Sequence, residues 1–249
     1  NNNFIIPVLI ASIIPVINFF LVFFYLSETK PNNTSNKLKT ILKNPLKQLF
    51  TVFKEEKIRK LSLAFFIYFI AFTGLTNILI FFLQESLNWT TKASSGTLVV
   101  VGVIAIIVQG GLIGPLVKQF GEMKLTLIGS GFILVACALL ITAPKENATI
   151  NIYSAVSFLA VGAGLITPTL RALISKKLDV DKQGSILSNL QGLQSLGGVL
   201  GIAMAGRVYD SFGPKSPFIA GSVILTFMIY LIAEGKNNKS FFNQKSKAL

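Results

Sequence analysis

The chain has 249 residues, of which 52% are hydrophobic and 13% charged, with a formal net charge of +13 and no histidine. Soluble domains carry about 25% charged residues, so a water-soluble globule is excluded and the bilayer is the natural solvent for this much apolar surface. The basic residues fall between apolar runs rather than on one domain, which argues against nucleic acid as a partner, and without histidine the commonest metal ligand and proton shuttle are missing.

Seven runs approach the roughly 20 apolar residues that a membrane-spanning helix needs. They are 4–25, 61–83, 97–117, 125–143, 152–172, 185–208 and 217–233. The first follows "NNN" with neither an initiating Met nor the basic start of a signal peptide, so the chain is expected to be a fragment. The stretch 27–60 then carries nine basic and three acidic residues. Its segment "LKTILKNPLKQLFTVF" could lie as an amphipathic helix on an anionic leaflet. The favoured reading is a solvated linker between two bundles. With this stretch in the cytoplasm and the runs alternating, 19 basic residues fall inside and 4 outside. The positive-inside rule therefore places the C-terminus in the cytoplasm.

"GLIGPLVKQFGEMK" (111–124) turns the third run into the fourth. Gly114 and Gly121 are expected to permit the tight path, and Lys118 and Lys124 to hold it on the cytoplasmic side. The segment 114–130 has an echo at 206–222, where Gly114, Phe120, Gly121, Gly129 and Ser130 recur as Gly206, Phe212, Gly213, Gly221 and Ser222. Each segment joins the second and third spans of a three-span unit, one turn inside and the other outside. That is the pattern of an inverted repeat, a common plan among secondary transporters.

Three stretches carry a family resemblance. "YLSET" (25–29) looks like the end of a sixth helix before a basic central loop. "GPLVKQFGEMK" looks like the second-half copy of a Gly-x-Leu-x-Asp-Arg-x-Gly-Arg-Arg loop. "GAGLITPTLRALISKKLDVDKQGSILSNLQGLQSLGGVLGIAMAGRVYD" (162–210) looks like a tenth and an eleventh helix. Together they resemble the C-terminal half of a major facilitator superfamily transporter, of the drug:proton antiporter group that includes tetracycline and multidrug efflux proteins. The resemblance implies an all-α integral membrane fold whose seven transmembrane helices correspond to helices 6–12 of twelve. It implies the last helix of an N-terminal bundle at 1–26, a cytoplasmic central loop at 27–60, a six-helix bundle at 61–235 and a cytoplasmic tail at 236–249. It also implies a missing N-terminal half, a bacterial inner membrane, a small-molecule substrate, a proton gradient and a role in antibiotic resistance. Uptake or export of a metabolite is the alternative within the same family. Lys118 stands where the first-half loop has Asp, and Glu122 where it has a basic residue, so the family's usual acid–base latch is not assigned here.

Polar residues inside the runs are the candidates for function. The second run offers Thr73, Thr76 and Asn77, the third Gln109, and the fifth Thr167 and Thr169. The sixth is richest, with Ser188, Asn189, Gln191, Gln194 and Ser195. At 100° per residue, Ser188, Gln191 and Ser195 share a stripe. The resemblance places Asn77, Gln109, Thr167, Asn189 and Gln194 along a central substrate cavity. The competing reading is interhelical hydrogen bonding. Arg171 and Arg207 sit at run ends, where long side chains snorkel. Gly192, Gly197, Gly198 and Gly201 permit close helix approach, and Pro168 frees a carbonyl near Gly164. Cys137 reads as packing. Asn88-Trp-Thr90 and Asn147-Ala-Thr149 fit a glycosylation pattern by coincidence, because the Lys-, Asn- and Ile-rich usage looks bacterial.

No Asp or Glu falls mid-run, so no proton carrier is read from this chain. No pair of nucleophile and base supports an enzyme, and no catalytic residue, cofactor or metal site is assigned. A seven-helix receptor or retinal protein is the competing class. The last run lacks the lysine that a retinal protein needs there.

Overall fold

The computed structural model describes residues 5–25, 49–144 and 148–237. Among them every regular element is helical. Most of the central stretch (26–48), the tail beyond residue 237, Lys145 and Asn147 lie outside the described residues.

Helix α1 (Ile5–Tyr25) belongs to a unit of its own. Pro15 lies inside it and cannot donate to the carbonyl one turn back. Phe19 stacks on Phe23 and Phe20 on Phe24, with ring centroids 6.2 and 6.3 Å apart. These are neighbours at i, i+4 on the helix surface.

The second unit runs from residue 46 onward. A 3-10 helix (Phe50–Phe53) leads into α2 (Arg59–Ser86). Then come α3 (Thr91–Ile107), a π-helical turn (Val108–Leu112) and α4 (Ile113–Phe120). The bundle closes with α5 (Glu122–Thr142), α6 (Thr149–Ser175), α7 (Val180–Phe212) and α8 (Ser216–Asn237). Among the described residues five stretches are long and apolar enough to cross a membrane: Arg59–Ser86, Thr91–Phe120, Glu122–Thr142, Thr149–Ser175 and Ser216–Glu234. Helix α7 has the length, at 33 residues. Its Gln183, Asn189, Gln191 and Gln194 dilute the apolar character that marks the other five.

The turns have local causes. Asn88 adopts φ 54°, and the Thr90 side chain accepts a hydrogen bond from the Ala93 N–H to cap α3. Gly121 (φ 77°) ends α4, and its N–H reaches the Val117 carbonyl at 2.9 Å. Gly213 (φ 90°) ends α7 in the same way, 2.9 Å from the Tyr209 carbonyl. Side chains with a Cβ rarely adopt such backbone angles. Gly114 corrects the expectation at the first turn. It lies within α4, and a Cβ there would meet nothing within 4 Å. The reversal therefore rests on Gly121. The π-helical turn has a cause as well. Pro115 has no N–H for the carbonyl of Gly111 and crowds it, and the ladder widens, so that the Ile113 N–H bonds to Val108, five residues back.

Small residues set the helix crossings. A Cβ on Gly201 of α7 would lie 2.2 Å from the Ile70 carbonyl oxygen of α2, and one on Gly74 of α2 would lie 2.8 Å from the Gly201 oxygen. Gly129 of α5 and Gly162 of α6 face each other in the same manner, at 2.9 and 2.6 Å. In an apolar solvent such backbone approach supplies the packing that water would otherwise drive. Beside these crossings the core is aromatic and aliphatic, with Phe65, Tyr68, Phe82, Phe218, Ile133 and Leu190 fully buried.

The contacts repeat in two halves. Helix α5 packs on α6 as α8 packs on α2, and α3 packs on α6 as α7 packs on α2. At one end of the bundle Lys60 pairs with Glu234 at 3.0 Å, Lys182 with Glu55 at 2.8 Å, and Lys176 with Glu122. At the other end Tyr209 donates to Glu85 at 2.7 Å. The 3-10 helix corrects the solvated-linker expectation for the last part of the central stretch. Val52 is fully buried in the core, and a Cβ on Gly192 would strike Leu49.

Candidate functional site

Most hydroxyls inside the bundle bond to their own helices. Thr76 donates to the Phe72 carbonyl, Ser130 to Thr126 and Ser222 to Phe218. Such bonds occupy the one donor of each hydroxyl. Thr126 of α5 and Thr169 of α6 also meet across helices, their Oγ1 atoms 2.8 Å apart, and a larger polar set gathers where α2, α6 and α7 meet.

Arg171 on α6 is the centre of this seam. Its Nη2 donates to the Gln191 side-chain oxygen at 2.7 Å and to the Gln194 side-chain oxygen at 2.5 Å. The spacing of three residues puts both amides on one face of α7. The guanidinium carbon lies 5.9 Å from the centroid of the Phe65 ring on α2, within the range of a cation–π contact. One turn deeper on the same helices, Tyr68 Oη and Thr167 Oγ1 are 3.3 Å apart. Thr167 and Arg171 stand four apart on α6, and Phe65 and Tyr68 three apart on α2, so two polar layers are stacked along one seam.

The residues expected at the cavity separate. Gln194 and Thr167 enter the seam. Asn189 turns to the 3-10 helix, where its Nδ2 donates to Thr51 Oγ1 at 3.1 Å. Asn77 is exposed, and its amide donates to the Thr73 carbonyl of its own helix at 2.9 Å. Gln109 is exposed in the π-helical turn, beside Gly164 of α6. Such turns are frequent at functional positions. Ser195 donates to the Gln191 backbone carbonyl.

Arg171 and Tyr68 are what sequence reasoning missed. Arg171 read as a snorkelling end residue, yet it stands four residues before the end of α6 and is anchored by two amides. The available signal was its spacing of four from Thr167, matched by Gln191 and Gln194 three apart on the next helix.

Among the loop residues, Lys118 lies in the last turn of α4, where it complements the helix dipole. Lys124 is exposed in the first turn of α5. Glu122 faces Lys176 of α6, so the acid of this loop ties α5 to α6. Beside it, the Lys182 ammonium holds the Glu55 carboxyl below its ordinary range, and Glu55 raises Lys182 in turn.

Long apolar helices crossing on glycines, with a polar seam inside, define an integral multi-pass membrane protein. The sequence model of the Major Facilitator Superfamily matches residues 3–202, and the chain belongs to that superfamily of membrane transporters. It is similar to the class C tetracycline resistance protein of Escherichia coli, at 25% identity over 130 residues, 52% of this chain and 32% of that protein. With the class D protein of Salmonella ordonez it shares 27% identity over 205 residues, 78% of this chain and 48% of that one. The crystal structure of the human organic anion transporter MFSD10 (TETRAN) superposes with a TM-score of 0.73 at 19% identity, covering 87% of this chain and 54% of that chain. The last likeness is one of fold. The chain spans between about a third and a half of the length of the tetracycline resistance proteins it matches.

Proposed function

We propose that this chain is the C-terminal part of a secondary transporter that exports small drug-like or amphipathic compounds by alternating access, coupled to the proton gradient. The similarity to tetracycline resistance proteins carries the reading. In it, α1 and the six apolar segments from α2 to α8 act as seven spans, equivalent to helices 6–12 of twelve. The polar α7 crosses the membrane against other helices rather than against lipid. Residues 1–26 end an N-terminal bundle, 27–60 form a cytoplasmic loop, 61–235 form two inverted three-helix repeats, and 236–249 form a cytoplasmic tail. The repeating contacts and the matching Gly121 and Gly213 turns favour the repeat. The membrane is the bacterial inner membrane, and an N-terminal half supplies the proton-carrying groups.

The cavity runs along the seam, with Gln194 and Thr167 facing substrate. Asn77 and Gln109 border it with exposed amides, and Asn189 supports it from behind through Thr51. Lys118, Gly121 and Lys124 form the cytoplasmic turn, with Gly114 inside the helix that leads into it. Everted vesicles from cells making the complete transporter should accumulate tetracycline when energised and release it when nigericin collapses the pH gradient. Absence of gradient-dependent accumulation sinks the export reading. Unchanged transport in Gln194→Ala and Thr167→Val removes the cavity assignment.

A further inference from the structure

We infer that Arg171 is a docking point for an oxyanion, a carboxylate or a phosphate carried by a molecule that enters the seam between α6 and α7. The inference rests on reading that seam as part of the transport path. A guanidinium has five N–H donors in a planar fork. The two on Nη2 face the oxygens of Gln191 and Gln194. Among the described residues no acceptor meets the donors on Nη1 and Nε, and no carboxylate lies within ion-pair distance.

The charge is also held in place. Phe65 is fully buried and closes one side of the guanidinium, at 5.9 Å. The amides of α7 fix its rotation. Arg171 remains partly exposed, and Gln191 beside it is exposed. A partly exposed guanidinium, met by no acid among the described residues and oriented by neutral amide oxygens, is poised for an anion that arrives from outside the chain. The fork geometry favours a bidentate partner, which a carboxylate or a phosphate offers and a halide does not. The nearby lysines differ. Lys176 and Lys182 each have a carboxylate in contact, so they are compensated and Arg171 is not.

The test uses the complete transporter, purified in uncharged maltoside micelles, and two probes of one shape: pyrenebutyrate and its uncharged primary amide. Equilibrium binding is read from probe fluorescence, and transport separately in proteoliposomes. Wild type should bind the carboxylate about tenfold more tightly than the amide. Arg171→Gln should abolish that preference, and Arg171→Lys should retain part of it. Gln194→Glu keeps the arginine but gives it an internal carboxylate, and should abolish the preference as well. If the two probes bind alike, yet short-chain phosphatidylglycerol stabilises wild type and not Arg171→Gln, the oxyanion is a lipid phosphate. Equal probe binding with equal lipid response in wild type and all three variants overturns the inference. Carboxylate selectivity without gradient-driven transport leaves the oxyanion site standing and removes the export reading.

Discussion

Three glycines of this chain stand in three different situations. Gly121 supplies a backbone angle, φ 77°. Gly201 supplies absence of volume, because a Cβ would lie 2.2 Å from a backbone oxygen. Gly114 supplies neither, since the space around it is open. Alanine separates them. Gly201→Ala should destabilise by about 1–3 kcal/mol, as overpacking of a tight contact does. Gly121→Ala should cost about 1–3 kcal/mol, because φ 77° with ψ 156° lies in a region essentially reserved for glycine. Gly114→Ala should be neutral or stabilise by up to about 1 kcal/mol, as glycine removal inside a helix does. Apparent melting temperatures of the three variants of the complete protein check the order, and a destabilised Gly114→Ala would contradict it. The sequence marked all three as turn or packing positions, because composition reveals where glycine stands and not which of its properties is in use.

At the scale of elements, what matters is which helix ends are tied. Lys182 at the start of α7 holds Glu55 before α2. Glu55 is depressed in the fold, so its contribution is present above the ordinary carboxylate value of 4.5 and fades as the pH falls through the lowered one. Lys182 is raised, so its contribution persists below 10.5 and is lost as the pH climbs through the higher value. Both groups are solvent-facing, and the effect is small and salt-sensitive. Lys182→Ala should therefore lower the melting temperature slightly at pH 7, and the difference should shrink as the pH falls below 4.5 through the lowered Glu55 value. A difference that does not change with falling pH would show that the pair contributes nothing. The elements themselves were largely legible: apolar runs and turn glycines located the six bundle segments, the widest miss being the start of α3 at Thr91 against an expected 97. The seam was less so. Gln194 and Thr167 were expected at the cavity, but their partners Arg171 and Tyr68 were not. A contact between α6 and α7 depends on how far each helix rotates on its neighbours, and no single helix encodes that. Asn189 makes the same point, because Thr51 takes it from a stretch read as solvated linker.

For the whole molecule the testable statement is sidedness. Single cysteines at Lys118 and Lys92, in a Cys137→Ser background, should react with a membrane-impermeant maleimide from opposite faces, Lys118→Cys only in everted vesicles and Lys92→Cys only in intact cells. Labelling of both from one face would overturn the proposed topology. Cys137 itself is buried, so its removal should leave the labelling background unchanged. The glycine crossings have a consequence of another kind, for descent under selection. Positions 74, 129, 162 and 201 have no room for a larger residue, whereas positions 102, 110, 111 and 114 along the α3–α4 segment open onto empty space. Substitution would find the first set frozen and the second permissive. Tolerated change in this chain therefore has an address: a library of random variants should collect its surviving replacements along the α3–α4 segment, while the four crossing positions stay glycine.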